Sequence, residues 1–547
     1  MIAKFKKYMN LELEFQRWEL VKYFSAAVGM FTPALITFCH YLRVDSLLTF
    51  TAFTLFIFGV LVIFKIDRKW TVPFVLFATV CSAYHLCMGK PIGYQTMAAM
   101  YETNISESLG FFCSPLCIPL LLGGGGFAWF IVWFVSGSKP LPKLKKVTFI
   151  RRKYLMSLMF FSLLLFSLTG KGILYSYPID VFYVNYIYVD EKGACEDYKA
   201  REYRLDKESF PDFNTNTGDT FILVIGEAAR RGALSAYGYE KAISPHLDNV
   251  VKEKGNNVVL FSDAISASAY TRASVLVMLS PFDLYDIKEV PTKPSLSKIF
   301  KGAGCETLYV TTRPEYPRPN TVSIFQDDAE EVHYLSTLIN KKFDEATLPI
   351  IKEFIRKYAS RKKLIILHLM GSHISYKKQY PQNFKYFDSG DSWRDTYDDS
   401  IRYTDHIINK VFNLTMDSDK PACILYASDH GENFNEYGDQ NFGHGTRELT
   451  RFEFEIPLVF LFNDAFLKKY PQQAGAIRKH KDLLVAHDNV AHTFLGLSGI
   501  KDPDLYKEWI DISSSEFTER DRYVTNENMF IFEYESLKLA DRPLNIE

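Results

Sequence analysis

With 547 residues and a formal net charge of −1, the chain is too long for one small domain and too neutral for a dedicated nucleic-acid binder. Its 48% hydrophobic content averages two unlike parts: long apolar stretches up to about residue 170, then the mixture of an ordinary soluble protein. The second part shows no internal repeat and no low-complexity tract.

The apolar stretches lie at 20–42, 46–64, 71–89, 110–135 and 154–170. Most reach the ~20 residues that a helix needs to cross a bilayer, and the last is short but flanked by Arg and Lys. Soluble core helices rarely stay apolar on every face for that length. The first stretch is too long for a signal-peptide core and has no small-residue cleavage site after it. Lys4, Lys6, Lys7, Arg17 and Lys22 precede or open the first stretch, and Lys65, Arg68 and Lys69 follow the second. Lys139, Lys143, Lys145, Lys146, Arg151, Arg152 and Lys153 follow the fourth, whereas the first and third loops offer only Arg43 and Lys90. Positive charge stays cytoplasmic, so five crossings put everything after about residue 172 outside. The expected organisation is a five-helix transmembrane domain over 1–172, a linker over 173–215 and an extracytoplasmic domain over 216–547.

Of the 8 cysteines, only Cys195, Cys305 and Cys423 lie beyond the membrane stretches. Cys305 and Cys423 adjoin apolar strands and read as buried small hydrophobes. This is not a disulfide framework.

The outer half alternates β-rich runs with amphipathic stretches. The runs are "FILVIG" (221–226), "NVVLFSDA" (257–264), "ETLYVTT" (306–312), "KLIILHLMG" (363–371), "ACILYASDHG" (422–431) and "IPLVFLF" (456–462). Helical patterns fall at 343–359 and 397–415. That rhythm predicts an α/β domain, a mainly parallel sheet between helices. Sheets of this kind place their sites beyond the carboxyl ends of the strands.

The residues at those ends form a set: Glu227, Thr271, Ser372 with His373, Asp429 with His430, and His444 nearby. Glu, Asp and His from separate strand ends can make a three-ligand zinc site with a position open for chemistry. A hydroxyl in that position becomes a nucleophile near neutral pH. Each residue also has an ordinary reading. Glu227 could favour a helix dipole, Thr271 could be an N-cap, and His373 and His444 could be loop histidines. Convergence of four strand ends on residues suited to one metal favours the site.

"VIGEAARRGALSAYGYEKAISPHLD", "SAYTRAS", "LHLMGSHISYKKQYP", "YDDSIRYTDHII", "SDHGEN" and "HDNVAHTFLGLSGI" resemble, in order and context, the phosphoethanolamine transferases. These are bacterial inner-membrane enzymes with a five-helix membrane domain and a periplasmic domain of the alkaline phosphatase/sulfatase type. The resemblance implies one tight zinc on Glu227, Thr271, Asp429 and His430, with Thr271 as nucleophile. It places His373 and His444 near the phosphoryl group, where they can hold a second, looser zinc. Glu102, Asn104 and Glu107 resemble a segment for the lipid head group, and Arg313 is the candidate for the phosphate, with Arg318 behind it. The implied reaction moves phosphoethanolamine from phosphatidylethanolamine to lipid A, a lipooligosaccharide core, a glycan or a protein, by a monomeric membrane enzyme that binds no nucleic acid. The lipid A-modifying branch is rich in periplasmic disulfides, which three cysteines cannot supply. Two rival readings stand: a phosphoglycerol transferase resembling lipoteichoic acid synthase, and a membrane-anchored binding protein without catalysis. A true sulfatase needs C-x-P-x-R, and the near match "CSPLC" lies in a membrane stretch without the Arg.

Overall fold

The computed structural model describes residues 21, 24–25, 27–35, 44–63, 71–88, 90–102, 156–157, 159–162, 177–281, 293–315, 321–337, 340–390, 392–416, 418–437, 442–445, 449–540 and 542. The chain divides into two compact units, one holding residues 1–100 and 105–188, the other 101–104 and 189–547.

In the first unit, helices Val44–Ile63 and Val72–Met88 cover the second and third apolar stretches. A 2.7 Å hydrogen bond between the Tyr84 hydroxyl and Thr96 Oγ1 ties the latter to the Tyr94–Glu102 helix. Among the described residues no helix is long and apolar enough to cross a membrane; the side chains of Val44–Ile63 and Val72–Met88 are described only in part. The fourth apolar stretch lies outside the described residues, and the first and fifth are described in fragments. The expected five crossings therefore fall partly outside the described residues. Helix Ile179–Ala200 lies within the segment expected as a linker.

The second unit is built on one seven-stranded sheet. Its strands in chain order are β1 (Thr220–Gly226), β2 (Val258–Leu260), β3 (Glu306–Pro314), β4 (Glu331–Ser336), β5 (Lys363–His368), β6 (Ala422–Ser428) and β7 (Leu458–Phe462), and their spatial order is β2-β7-β6-β1-β5-β3-β4. β1 pairs in parallel with both β5 and β6, and β3 in parallel with β4 and β5. β7 runs antiparallel to β6 and β2, so the sheet is mixed with a parallel centre.

Every residue of β1, β5 and β6 is buried, which explains their unbroken apolar runs: helices cover both faces. Alternate side chains of β1 enter opposite cores. Phe221, Leu223 and Ile225 pack in the core shared with Val275, Leu276 and Phe494. Ile222 and Val224 join Ile351, Tyr397 and Ile401 from helices Leu348–Lys357 and Ser392–Met416. The register pairs Ile225 with His368, Thr311 with His368, and Gly226 with Ser428. The ends of β1, β3, β5 and β6 therefore lie side by side along one edge, where the functional residues follow.

Candidate functional site

Glu227 follows β1 directly, and no helix starts there: the next helical turn is Arg231–Ala233. Its carboxylate is buried, with 1% exposure. Gly371, in the loop after β5, presses against it. A Cβ there would lie 2.9 Å from the Glu227 backbone nitrogen, and its φ of +49° also suits only glycine. The loop is held on both sides. Ser372 N–H donates to the Glu227 carbonyl at 3.1 Å, and Met370 and Gly371 N–H donate to Asp344 at 2.9 and 3.0 Å. Burial raises the Asp344 pKa against these hydrogen bonds and that of Thr312.

Asp429 and His430 follow β6. One Asp429 oxygen accepts the N–H groups of Ala228 at 3.0 Å and His430 at 2.8 Å. Burial pushes its pKa up, but His430, Arg313 and Thr271 outweigh that and hold it below the usual carboxylate range. His430 Nδ1 lies 2.9 Å from the Gly431 carbonyl. A carbonyl only accepts, so Nδ1 carries the proton and Nε2 presents a lone pair. That nitrogen is 3.5 Å from Glu227 Oε1 and 3.6 Å from Asp429 Oδ2. Among the described residues, these three atoms are buried without a hydrogen-bond partner. Each such atom costs roughly 1–3 kcal/mol, so three facing one another need a ligand, and the donor set suits a divalent cation such as zinc.

Thr271 is the first residue of helix Thr271–Met278, with Tyr270 as its N-cap, so its hydroxyl does not cap the helix. It donates instead to Glu227 Oε2 at 3.3 Å. Tyr270 is anchored by its hydroxyl on the Gly445 carbonyl at 3.0 Å and on Glu527. Gly445 lies flat against that ring at a φ of +58°, where a Cβ would clash. The neighbouring serine hydroxyls are enclosed. Ser268 and Ser274 are fully buried, and Ser274 Oγ both accepts from Ser268 N–H at 3.2 Å and donates to Ser268 O at 3.0 Å.

The histidines complete the cluster. His444 Nδ1 lies 2.8 Å from Glu432 Oε2, and its ring centroid is 3.9 Å from that of His430. Ligand atoms of Glu227, His430 and His444 all fall within 4.8 Å of one another. Burial, helped by Arg313, His444 and Lys341, pushes the His373 pKa down to about 3. Arg313 ends β3 with 4% exposure, donates through Nε to the Leu369 carbonyl at 3.3 Å, and pairs through Nη2 with Glu227.

The profile of the Sulfatase family matches residues 219–500, more than half the chain. The chain belongs to the sulfatase family. This sulfatase-family chain is 24% identical over 506 residues to phosphoethanolamine transferase EptC of Escherichia coli K12, covering 84% of each. It is 26% identical over 354 residues to phosphoethanolamine transferase CptA of Salmonella typhimurium, covering 61% of this chain and 60% of that one. The integral membrane lipooligosaccharide phosphoethanolamine transferase A of Neisseria meningitidis aligns with a TM-score of 0.68 at 17% identity, covering 90% of this chain and 98% of that one. The zinc complex of the periplasmic domain of E. coli EptC aligns with a TM-score of 0.56 at 24% identity, over 63% of this chain and all of that domain. The expected resemblance to the phosphoethanolamine transferases is borne out by these relatives.

Of the residues singled out from the sequence, the fold brings together Glu227, Thr271, Arg313, His373, Asp429, His430 and His444. Glu102 ends the Tyr94–Glu102 helix with its side chain outside the description, and Asn104, Glu107 and Arg318 lie outside the described residues. Sequence reasoning assigned no role to Glu432, Tyr376 or His487. Glu432 accepts from both His444 and the Tyr376 hydroxyl. His487 accepts from Ala267 N–H at 3.1 Å and lies 2.9 Å from the Ser428 carbonyl, joining the Thr271 and Asp429 segments. Glu432 was visible beside Asp429, but nothing in the sequence says which histidine it orients.

Proposed function

We propose that this chain transfers phosphoethanolamine from phosphatidylethanolamine to a cell-envelope acceptor through a phosphothreonine at Thr271. The observation that carries this reading is the meeting of three unpartnered, buried ligand atoms with a threonine hydroxyl at a helix start. The names of the relatives support the transferred group.

Glu227, Thr271, Asp429 and His430 would hold zinc, which when bound supplies a Lewis acid for a phosphoryl oxygen and a lower pKa for the Thr271 hydroxyl. Thr271 Oγ1 forms a bond to phosphorus as the bond from phosphorus to the glycerol oxygen breaks. The diacylglycerol leaves with the proton that Thr271 gives up. The backbone N–H groups at the start of helix Thr271–Met278 offer positive charge to a phosphate on Thr271, and the Arg313 guanidinium, paired with Glu227, adds its charge beside the site. Burial lowers the His373 pKa from its ordinary value, so the ring enters the reaction neutral, with a nitrogen lone pair to offer the phosphoryl site. His444, with Nδ1 held by Glu432, turns Nε2 away from that carboxylate. In the second half the acceptor oxygen bonds to phosphorus as the bond to Thr271 Oγ1 breaks, and the acceptor's proton passes, assisted by His373 or His444, to Thr271 Oγ1.

A lipid donor implies a membrane-anchored chain. Its proposed arrangement is five crossings over 1–172, a linker over 173–215, and the catalytic domain over 216–547 in the periplasm of a bacterial inner membrane. A reporter fused after Lys153 should then read as cytoplasmic and one fused after residue 215 as periplasmic; the same side for both would refute it. The reaction itself is tested with the purified chain and two labelled donors. Label should leave phosphatidylethanolamine carrying labelled ethanolamine and stay in phosphatidylglycerol carrying labelled glycerol. The reverse would assign phosphoglycerol transfer.

A further inference from the structure

The loop that carries His373 packs against a second exposed segment. The two segments carry Lys341, Lys342 and Phe343, and Ile374, Lys377 and Lys378. Lys341 Nζ joins them, donating to the Lys378 carbonyl at 2.8 Å and to the Gln379 side chain. Gln379, itself buried, donates to the carbonyls of His373 at 3.0 Å and Ile374 at 3.3 Å. Lys341 is also close enough to lower the His373 pKa. The lysines and the catalytic loop therefore form one built surface.

Its chemistry is unusual for a solvated face. Among the described residues, Lys342, Lys377 and Lys378 take part in no ion pair. Glu345, the exposed carboxylate nearest in sequence, acts on Tyr403 and His406 instead, and Asp344 is buried. Amid this charge Ile374 is 53% exposed and Phe343 38%. Ile374 is held there, since Gln379 pins the carbonyls on both sides of its Cα and Ser375 follows at a φ of +68°.

We infer that this lysine rim around Ile374 is a docking surface for anionic phospholipid head groups. A soluble polyanion would satisfy the lysines and leave Ile374 in water. A lipid surface takes both, with phosphates against the ammonium groups and the acyl boundary against Ile374, while the lysine stems lie along the interface. The inference rests on the proposed function, in which the site works at a membrane. It adds that the loop carrying His373 itself touches the leaflet.

The test uses the full chain in lipid nanodiscs of phosphatidylcholine, with or without phosphatidylglycerol, followed by hydrogen–deuterium exchange. Exchange in peptides covering 340–345 and 373–379 should slow severalfold when phosphatidylglycerol is present and recover in high salt. The slowing should vanish in the triple variant K342E/K377E/K378E and persist in K252E/K254E/K301E, which changes net charge equally elsewhere. Ile374→Ser should weaken the slowing at low salt. Equal exchange in both discs, or equal loss in the two triple variants, would overturn the rim. Slowing by soluble inositol hexaphosphate but not by phosphatidylglycerol would also overturn it, in favour of a soluble polyanion. Failure of the chain to enter either disc would instead refute the membrane reading itself.

Discussion

His430 Nε2 and Glu227 Oε1 stand 3.5 Å apart, and neither has a hydrogen-bond partner among the described residues. Asp429 Oδ2, equally unpartnered, is 3.6 Å from the same nitrogen. Glu227→Ala, Asp429→Ala and His430→Ala should each strip zinc and abolish transfer, because a site of three such ligands cannot spare one. Metal analysis of the purified variants checks this; full zinc occupancy in Asp429→Ala would refute the assignment. Exhaustive chelation should likewise end head-group transfer.

Glu432 should act through His444. Its carboxylate fixes the proton on His444 Nδ1 and is itself held by Tyr376. Removing such an outer partner typically costs about 10–100-fold in activity. Glu432→Ala should lose that much transfer while keeping its zinc, and Tyr376→Phe should lose less. Wild-type rates in Glu432→Ala would mean that His444 needs no orientation.

Acid should destabilise the second unit through a buried histidine of helix Asp488–Ser498. His492 accepts from the Lys507 N–H at 3.1 Å through Nδ1, and burial, with Lys507, Arg520 and Lys293, pushes its pKa down to about 3. Unfolded histidine titrates near 6.5. Between those values the unfolded chain binds the extra proton, so stability is fully present above about pH 6.5 and is lost as pH falls through the window. The contribution is on the order of 1–2 kcal/mol by pH 5. Thermal melts from pH 7 to pH 5 should fall less steeply for His492→Gln than for the wild type. Parallel slopes would exclude His492 as the cause.

Much of this was legible before any coordinates. The unbroken apolar runs of β1, β5 and β6 announced strands covered on both faces, and the polar residues after them announced the site. β4 was not legible. "EVHYLS" interleaves charge and apolar residues over a half-buried edge, which periodicity does not separate from a loop. The reversed direction of β7 was hidden for a different reason: an apolar run says that a strand is buried and nothing about its polarity. At the site, donor types could be read from strand ends, whereas second partners could not. Glu432 and His444 are 12 positions apart and meet only because the Asn433–Phe434 and Phe442–Gly443 strands fold back on each other. Arg313 was selected as a phosphate ligand, and its contact with Glu227 became visible only once β3 and β1 were placed on either side of β5.

The central claim is that Thr271 carries the phosphoryl group. Thr271→Ala should retain much of its zinc through Glu227, Asp429 and His430, yet lose essentially all transfer, because the proposal makes threonine the nucleophile and leaves the other residues to activate it. The direct measurement is peptide mapping by mass spectrometry after incubating the full chain with phosphatidylethanolamine and no acceptor. The account predicts a phosphoethanolamine adduct on the peptide containing Thr271, absent from Thr271→Ala. An adduct on Ser268 or Ser274, or transfer at near wild-type rate in Thr271→Ala, would contradict it.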